Sequence, residues 1–213
     1  MKRRDFSAQL AATALGLPFA GRALAQGAPV EGQNYVRLSQ PVAVPSTGKI
    51  DVIEFFWYGC PHCFAFEPSL DAWSKKVPAD IAFRRVHVGF TALHQTHQRI
   101  FCTLEAMGLV EQMHRKVFNA IHQQRRHLDK DADIQAFATE NGIDGAKFMD
   151  VFKSFAVQTK ARQYSQLTDA YKIDGVPALG VQGRYYTSVA LAGSHEKALQ
   201  VVEFLAQKVR TGR

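Results

Sequence analysis

Apolar positions along this chain change their spacing twice. Residues 50–57, Ile-Asp-Val-Ile-Glu-Phe-Phe-Trp, are nearly continuous in apolar character, as expected of a strand covered on both faces. From Cys63 to about Val77 the spacing is helical, with Phe66, Leu70 and Trp73 on one face and Pro78 beyond the end. Residues 81–88 read as strand again, although Arg84, Arg85 and His87 interrupt them. A solvated face is the ordinary explanation of such charges, and one arginine can instead pair with Glu67 or Glu54.

From Thr91 the pattern turns helical. Ile100, Leu104 and Met107 form a stripe closed by Gly108; Met113, Val117 and Ile121 form a second; Ile134, Phe137 and Ala138 a third, stopped by Asn141-Gly142. Phe148, Phe152 and Phe155 form a fourth, with Asp144 as N-cap. These stripes are core and contain no cofactor motif. A further helix is predicted over Ala161–Tyr171, then a hairpin through Ala178–Val181 and Gly183–Tyr186. Ser194 caps a last helix bearing Ala198, Val201, Val202 and Leu205. Residues 26–39 read as a polar extended arm, and Pro41–Pro45 as an edge strand at best. The order predicts an α/β fold whose strand-bearing halves, 26–90 and 162–213, flank an all-helical insertion at 91–161.

Residues 1–25 carry a different signal. Lys2, Arg3 and Arg4 precede an apolar stretch from about Leu10 to Ala20, and Ala23-Leu24-Ala25 supplies small residues for cleavage. This is the pattern of an export signal peptide, and Arg3-Arg4 leaves the general secretory and twin-arginine routes both open. The segment holds four basic residues and one acid, so removing it lowers the formal charge of +7 to about +4. That balance makes no case for nucleic acid. An exported chain works in an oxidising compartment, here the bacterial periplasm, where a cysteine pair persists as a disulfide.

Such a pair is present as Cys60-Pro61-His62-Cys63. Two cysteines at this spacing close a small disulfide or grip a metal, and the flanks favour redox chemistry: strand, then Gly59, then the motif at a helix start. Pro61 suits the first helical position, which leaves Cys60 as N-cap with its sulfur facing unpaired backbone N–H groups. A thiolate is stabilised there, and His62 adds to the effect. Cys60 is thus the reactive thiol and Cys63 the recessed one. Glu54, in the middle of the central strand, is costly to bury charged, so its pKa rises and it can exchange a proton with Cys63. Glu67, one turn beyond Cys63, tunes the local charge or lies on the surface. Cys102 has no partner in the pattern and reads as a buried, inert thiol. His94 with His97, and His122 with His127, make poor metal sites because no carboxylate supports them.

The run from Glu54 to Cys63, with Phe66-Glu67 after it and Gly175-Val176-Pro177-Ala178 late in the chain, resembles the DsbA family of thiol:disulfide oxidants. The resemblance spans nearly the whole chain after the leader. It implies a thioredoxin-like fold with an inserted helical domain, Cys60 as nucleophile and Cys63 as resolving cysteine in a redox-active disulfide. It further implies a cis peptide bond before Pro177, Val176 facing the cysteines, and Glu54 as the family's buried acid. No cofactor or metal is expected. The implied partners are reduced or unfolded exported proteins and a membrane DsbB-type, quinone-linked oxidase that restores the disulfide. Leu70, Phe90 and the edge beside Val176 are expected to hold peptide, and a monomer is expected. Three other readings are a disulfide isomerase or reductase of the same fold, a metal carrier using the same cysteines, and a protein that only binds unfolded chains.

Overall fold

The computed structural model describes residues 27–212, so the leader expected at 1–25 lies outside them. Five strands form one sheet in the order β1-β5-β4-β2-β3: β1 is Val36–Arg37, β2 Ile50–Phe56, β3 Ile81–His87, β4 Ala178–Val181 and β5 Tyr185–Ser188. β2 is an interior strand, between β4 and β3, and is buried along its whole length. It runs parallel to β3 and antiparallel to β4, pairing Glu54 with Arg85 on one side and with Leu179 on the other. The β2–β3 crossover is α1, Pro61–Ser74, as parallel neighbours require.

Alternation along β2 sorts its side chains into two layers. Val52 joins Leu179 and Val181 in a core with Phe66 and Leu70 of α1 and with Val201, Val202 and Leu205 of α8, His195–Arg210. Ile53 and Phe55 face the other way, into the core shared with the helical segment. That segment comprises α2 (Ala92–Ala106), α3 (Val110–His122), α4 (Asp131–Glu140), α5 (Gly145–Phe152) and α6 (Phe155–Ala170). α6 runs unbroken through position 161 and lays Tyr171, just past its end, against Phe55 at 5.1 Å. A single turn, α7 (Val189–Ala192), links β5 to α8.

The structure differs from the sequence reading in particulars. Pro41–Pro45 forms no strand; the edge strand is β1, inside the stretch read as a polar arm, paired antiparallel with β5. Leu38 and Val42 still donate their N–H groups to Arg184 and Gly183, which ties the arm to the sheet between the prolines' missing donors. The β4–β5 turn places Gln182 at φ 52° and Gly183 at φ 62°, a turn with both central residues left-handed, and a side chain at 183 would collide with the Val42 carbonyl. Phe155 does not continue the α5 stripe: Ser154 caps a new helix, and Phe155 lies 77% exposed at its start. α1 ends at Ser74, short of Val77.

Candidate active site

The site is built where β2 hands over to α1. Cys60 is the N-cap of α1 with extended backbone (φ −84°, ψ 117°), and Pro61 occupies the first helical turn. The Cys63 N–H donates to the Cys60 sulfur at 3.3 Å. All three cysteines are free thiols. The Cys60 thiol is held down to about 6: the Cys63 thiol and the Cys63 and His62 N–H groups donate to the sulfur, the His62 charge adds to this, and burial opposes it. Cys63 moves the other way. Burial drives its pKa well up, and the neighbouring Cys60 and Glu54 charges reinforce that. One helix start therefore produces a ready thiolate next to a thiol that holds its proton.

Val176 and Pro177 come to the same place from the other end of the chain. Their peptide bond is cis, and the Cys60 Sγ lies 3.5 Å from the Val176 carbonyl oxygen. Beside them a groove of about 570 Å³ is lined by His62, Ile173, Val176, Tyr186, Val189 and Leu191, among others. Leu70 is not part of it. The expectation that Leu70 touches peptide is corrected: it is fully buried beneath α8, because it shares the inward face of α1 with Phe66. Phe90 is 43% exposed, its ring 5.6 Å from that of His94.

Glu54 is fully buried, and burial lifts its pKa to about 8, with Arg85 opposing and Glu67 and Cys60 adding to the rise. The Arg85 Nε donates to Glu54 Oε2 at 3.0 Å, and its Nη2 donates to Glu67 Oε1 at 2.8 Å. Glu67 is thus buried rather than surface, and Arg85 bridges two carboxylates instead of facing solvent. Arg84 likewise forms a bidentate pair with Asp51, at 2.8 and 3.0 Å. Asp51 lies within β2, in the stretch read as strand, and is buried.

The sequence reading missed a histidine cage behind the motif. His87 Nε2 accepts the Tyr58 N–H at 3.1 Å, so its Nδ1–H is the donor to the Val88 carbonyl at 2.8 Å. His122 Nε2 donates to the Tyr58 carbonyl at 2.8 Å, and His114 Nδ1 lies 3.0 Å from the Tyr58 hydroxyl. His97 Nδ1 accepts from the Trp57 indole at 3.0 Å, while its Nε2 donates to the His127 carbonyl at 2.8 Å. The Trp57 ring stacks on His94 at 4.0 Å and fills the space where a side chain at Gly59 would stand. These imidazoles hold the Trp57–Gly59 segment, and both His97 nitrogens are spent on it. Their spacing in sequence carries no sign of this, since they come from β3, α2 and α3. Cys102 is buried in the second half of α2, and burial raises its thiol to about 12.

Comparison with known proteins agrees with this arrangement. Residues 51–201 match the DsbA-like thioredoxin domain. The chain is 42% identical over 213 residues to the thiol:disulfide interchange protein DsbA of Bordetella pertussis, covering 99% of this chain and 100% of that one. It is 40% identical to the Pseudomonas aeruginosa protein of the same name over 179 residues, covering 84% of this chain and 85% of that one. A crystal structure of Pseudomonas aeruginosa DsbA superposes with a TM-score of 0.83 at 39% identity, over 86% of this chain and 96% of that one. Xylella fastidiosa DsbA gives 0.81 at 25% identity, over 87% and 100%. With Cys60-Pro61-His62-Cys63 at a helix start, Val176-Pro177 beside it and this similarity over most of its length, the chain belongs to the DsbA family of thiol:disulfide oxidoreductases.

Proposed function

We propose that this oxidoreductase runs in the oxidising direction, passing the Cys60–Cys63 disulfide to reduced proteins exported to the periplasm. The observation that carries this is the opposite displacement of the two thiols, Cys60 down to about 6 and Cys63 well up. Stabilising the Cys60 thiolate stabilises the reduced form, which makes the disulfide readily reduced by a substrate thiol; DsbA proteins are the standard example of this rule, and these residues supply its direction.

A substrate thiolate attacks Cys60 Sγ, the Cys60–Cys63 bond breaks, and its electron pair leaves on the Cys63 sulfur. The Glu54 carboxyl gives that sulfur its proton. A second substrate thiolate then attacks the substrate sulfur of the mixed disulfide and releases Cys60 as thiolate. In reoxidation by a DsbB-type membrane partner, the Cys60 thiolate first attacks one sulfur of the partner's disulfide, which breaks that S–S bond, forms a mixed disulfide and releases the partner's other cysteine as thiolate. Cys63 passes its proton back to Glu54 and attacks Cys60, releasing the partner's thiolate. The groove at His62, Val176, Tyr186 and Leu191, together with the exposed Phe90 beside His94, supplies apolar surface for an unfolded segment.

Residues 1–25 act in this reading as the export signal, and 91–161 as a helical insertion in the thioredoxin-like unit. Among the described residues no helix is long and apolar enough to cross a membrane. The test is the equilibrium reduction potential of the pair in glutathione buffers. A potential well on the oxidising side of glutathione is expected; a strongly reducing one refutes the oxidant and makes the protein a reductase.

A further inference from the structure

Among the described residues, the buried side-chain oxygens and nitrogens without a hydrogen-bond partner are Glu54 Oε1, Glu67 Oε2 and His114 Nε2. All three belong to one cluster. Arg85 links Glu54 to Glu67, and His114 Nε2 lies 3.3 Å from Glu67 Oε2 without hydrogen-bond geometry. Orphaned polar atoms are rare in protein interiors and each calls for a reason.

The protonation of His114 follows from its other nitrogen. Tyr58 is fully buried with its hydroxyl 3.0 Å from His114 Nδ1, and burial keeps that phenol protonated; it is the donor to Nδ1 in the tautomer whose proton sits on Nε2. The neutral ring then carries its proton on Nε2, the nitrogen 3.3 Å from the free oxygen of Glu67. The rings of Phe56 and Phe118, 5.2 and 5.1 Å from that of His114, fix its plane. The other charged or titratable groups bearing on the cluster are Arg85 and His87 from β3, Glu54 from β2, Cys60 and Cys63 at the start of α1, Glu111 from α3 itself and Glu105 of α2 through Tyr58.

We propose that His114 is a positioning residue for the thiol chemistry: it acts through Glu67 and the shared Arg85 on the Glu54 carboxyl that exchanges the Cys63 proton. This rests on the role given to Glu54 above. The physical basis is that Arg85 is one cation between two carboxylates. A donor on Glu67 Oε2 lowers the cost of having both ionised, and so sets the pH at which Glu54 becomes a base.

The experiment follows the first-order rate at which Cys63 expels glutathione from a Cys60–glutathione mixed disulfide. In that step the Cys63–Cys60 bond forms, the Cys60–glutathione bond breaks, glutathione leaves with the electron pair, and the Cys63 proton passes to Glu54. The mixed disulfide is prepared in acid and jumped to values from roughly pH 5 to roughly pH 10, where the profile breaks at the ionisation of the base. His114→Phe removes the donor and keeps an aromatic ring among the phenylalanines; the break is expected to move up by about half a pH unit or more. His114→Gln, whose amide can donate to Glu67 and accept from Tyr58, is expected to restore it. In a Glu67→Gln background His114→Phe is expected to move nothing further, a non-additivity that a general packing defect would not produce. If phenylalanine at 114 prevents folding, His114→Met offers a more adaptable apolar side chain. A break that vanishes in Glu54→Gln but stays in place or falls in His114→Phe overturns this inference alone. A break that survives Glu54→Gln overturns the role of Glu54, and the inference with it.

Discussion

Replacing Glu54 by glutamine keeps the shape of the side chain and removes its proton. Burial lifts this carboxyl from an ordinary 4.5 to about 8, helped by Glu67 and Cys60 and opposed by Arg85. In the unfolded chain it returns to the ordinary value, so between about 4.5 and about 8 the folded protein holds a proton that the unfolded chain has released. Stability therefore falls as pH rises through that window. Below it both states are protonated and the cost is absent; above it the cost is complete. At about 1.4 kcal/mol per pH unit, the full cost of ionising Glu54 in the folded state is on the order of 5 kcal/mol, and at neutral pH roughly 3 kcal/mol of it has accrued. Glutamine carries none of this. Arg85 loses one hydrogen-bond acceptor in the variant, an offset of about 1–3 kcal/mol that stays constant with pH as long as the folded Glu54 keeps its proton. The slope with pH thus separates the proton from the packing. Urea unfolding of the reduced wild type and Glu54→Gln, repeated from about pH 5 to about pH 8, is expected to shift in favour of the variant by roughly 3 kcal/mol across the series. A difference that does not change with pH, or that shifts toward the wild type, refutes the argument from burial.

Alkylation of the reduced protein by iodoacetamide should rise with a midpoint near the Cys60 value of about 6, and His62→Ala should move it upward; a wild-type midpoint near 9 refutes the helix-start argument. Because that pKa is lowered on folding, the reduced form gains stability that is complete above about 9 and is lost as pH falls through about 6, which urea unfolding of the reduced protein at those pH values reads directly. Leu70→Ala should cost about 2–5 kcal/mol in urea unfolding and leave the Cys60 midpoint where it is; unchanged stability with weakened peptide binding would restore Leu70 to the substrate surface. Gly59→Ala should push the Trp57 indole off His94 and His97, changing its fluorescence and costing about 1–3 kcal/mol, and a variant with neither change would refute the close packing at Gly59.

The elements were legible wherever periodicity and capping agree. Asp144, Ser194 and Cys60 are N-caps as read, and the helical stripes from Ile100 to Phe152 are buried except at Met107 and Ile121, which are half-buried. The two-residue β1 was not legible, because so short a strand has no period and exists only through its pairing with β5. Phe155 misled because a phenylalanine three residues after Phe152 looks the same whether the helix continues or a new one begins at Ser154.

The reactive end of the site was determined by local sequence. Pro61 belongs in a first helical turn, which makes Cys60 the cap and sets the Cys63 N–H on its sulfur at 3.3 Å. These are contacts within four residues, and the residues themselves dictate them. Tertiary structure alone decided the other half. Val176 reaches Cys60 across 116 positions, Arg85 finds Glu54 and Glu67 from the neighbouring strand, and four histidines from three elements hydrogen-bond to Trp57 and Tyr58 while a fifth, His94, stacks on Trp57. A charged or imidazole side chain has the same signature in sequence whether it is solvated or buried with a partner. Only the packing of β2, β3 and α1 removes water from Arg85 and Glu54, and with it the alternative to pairing.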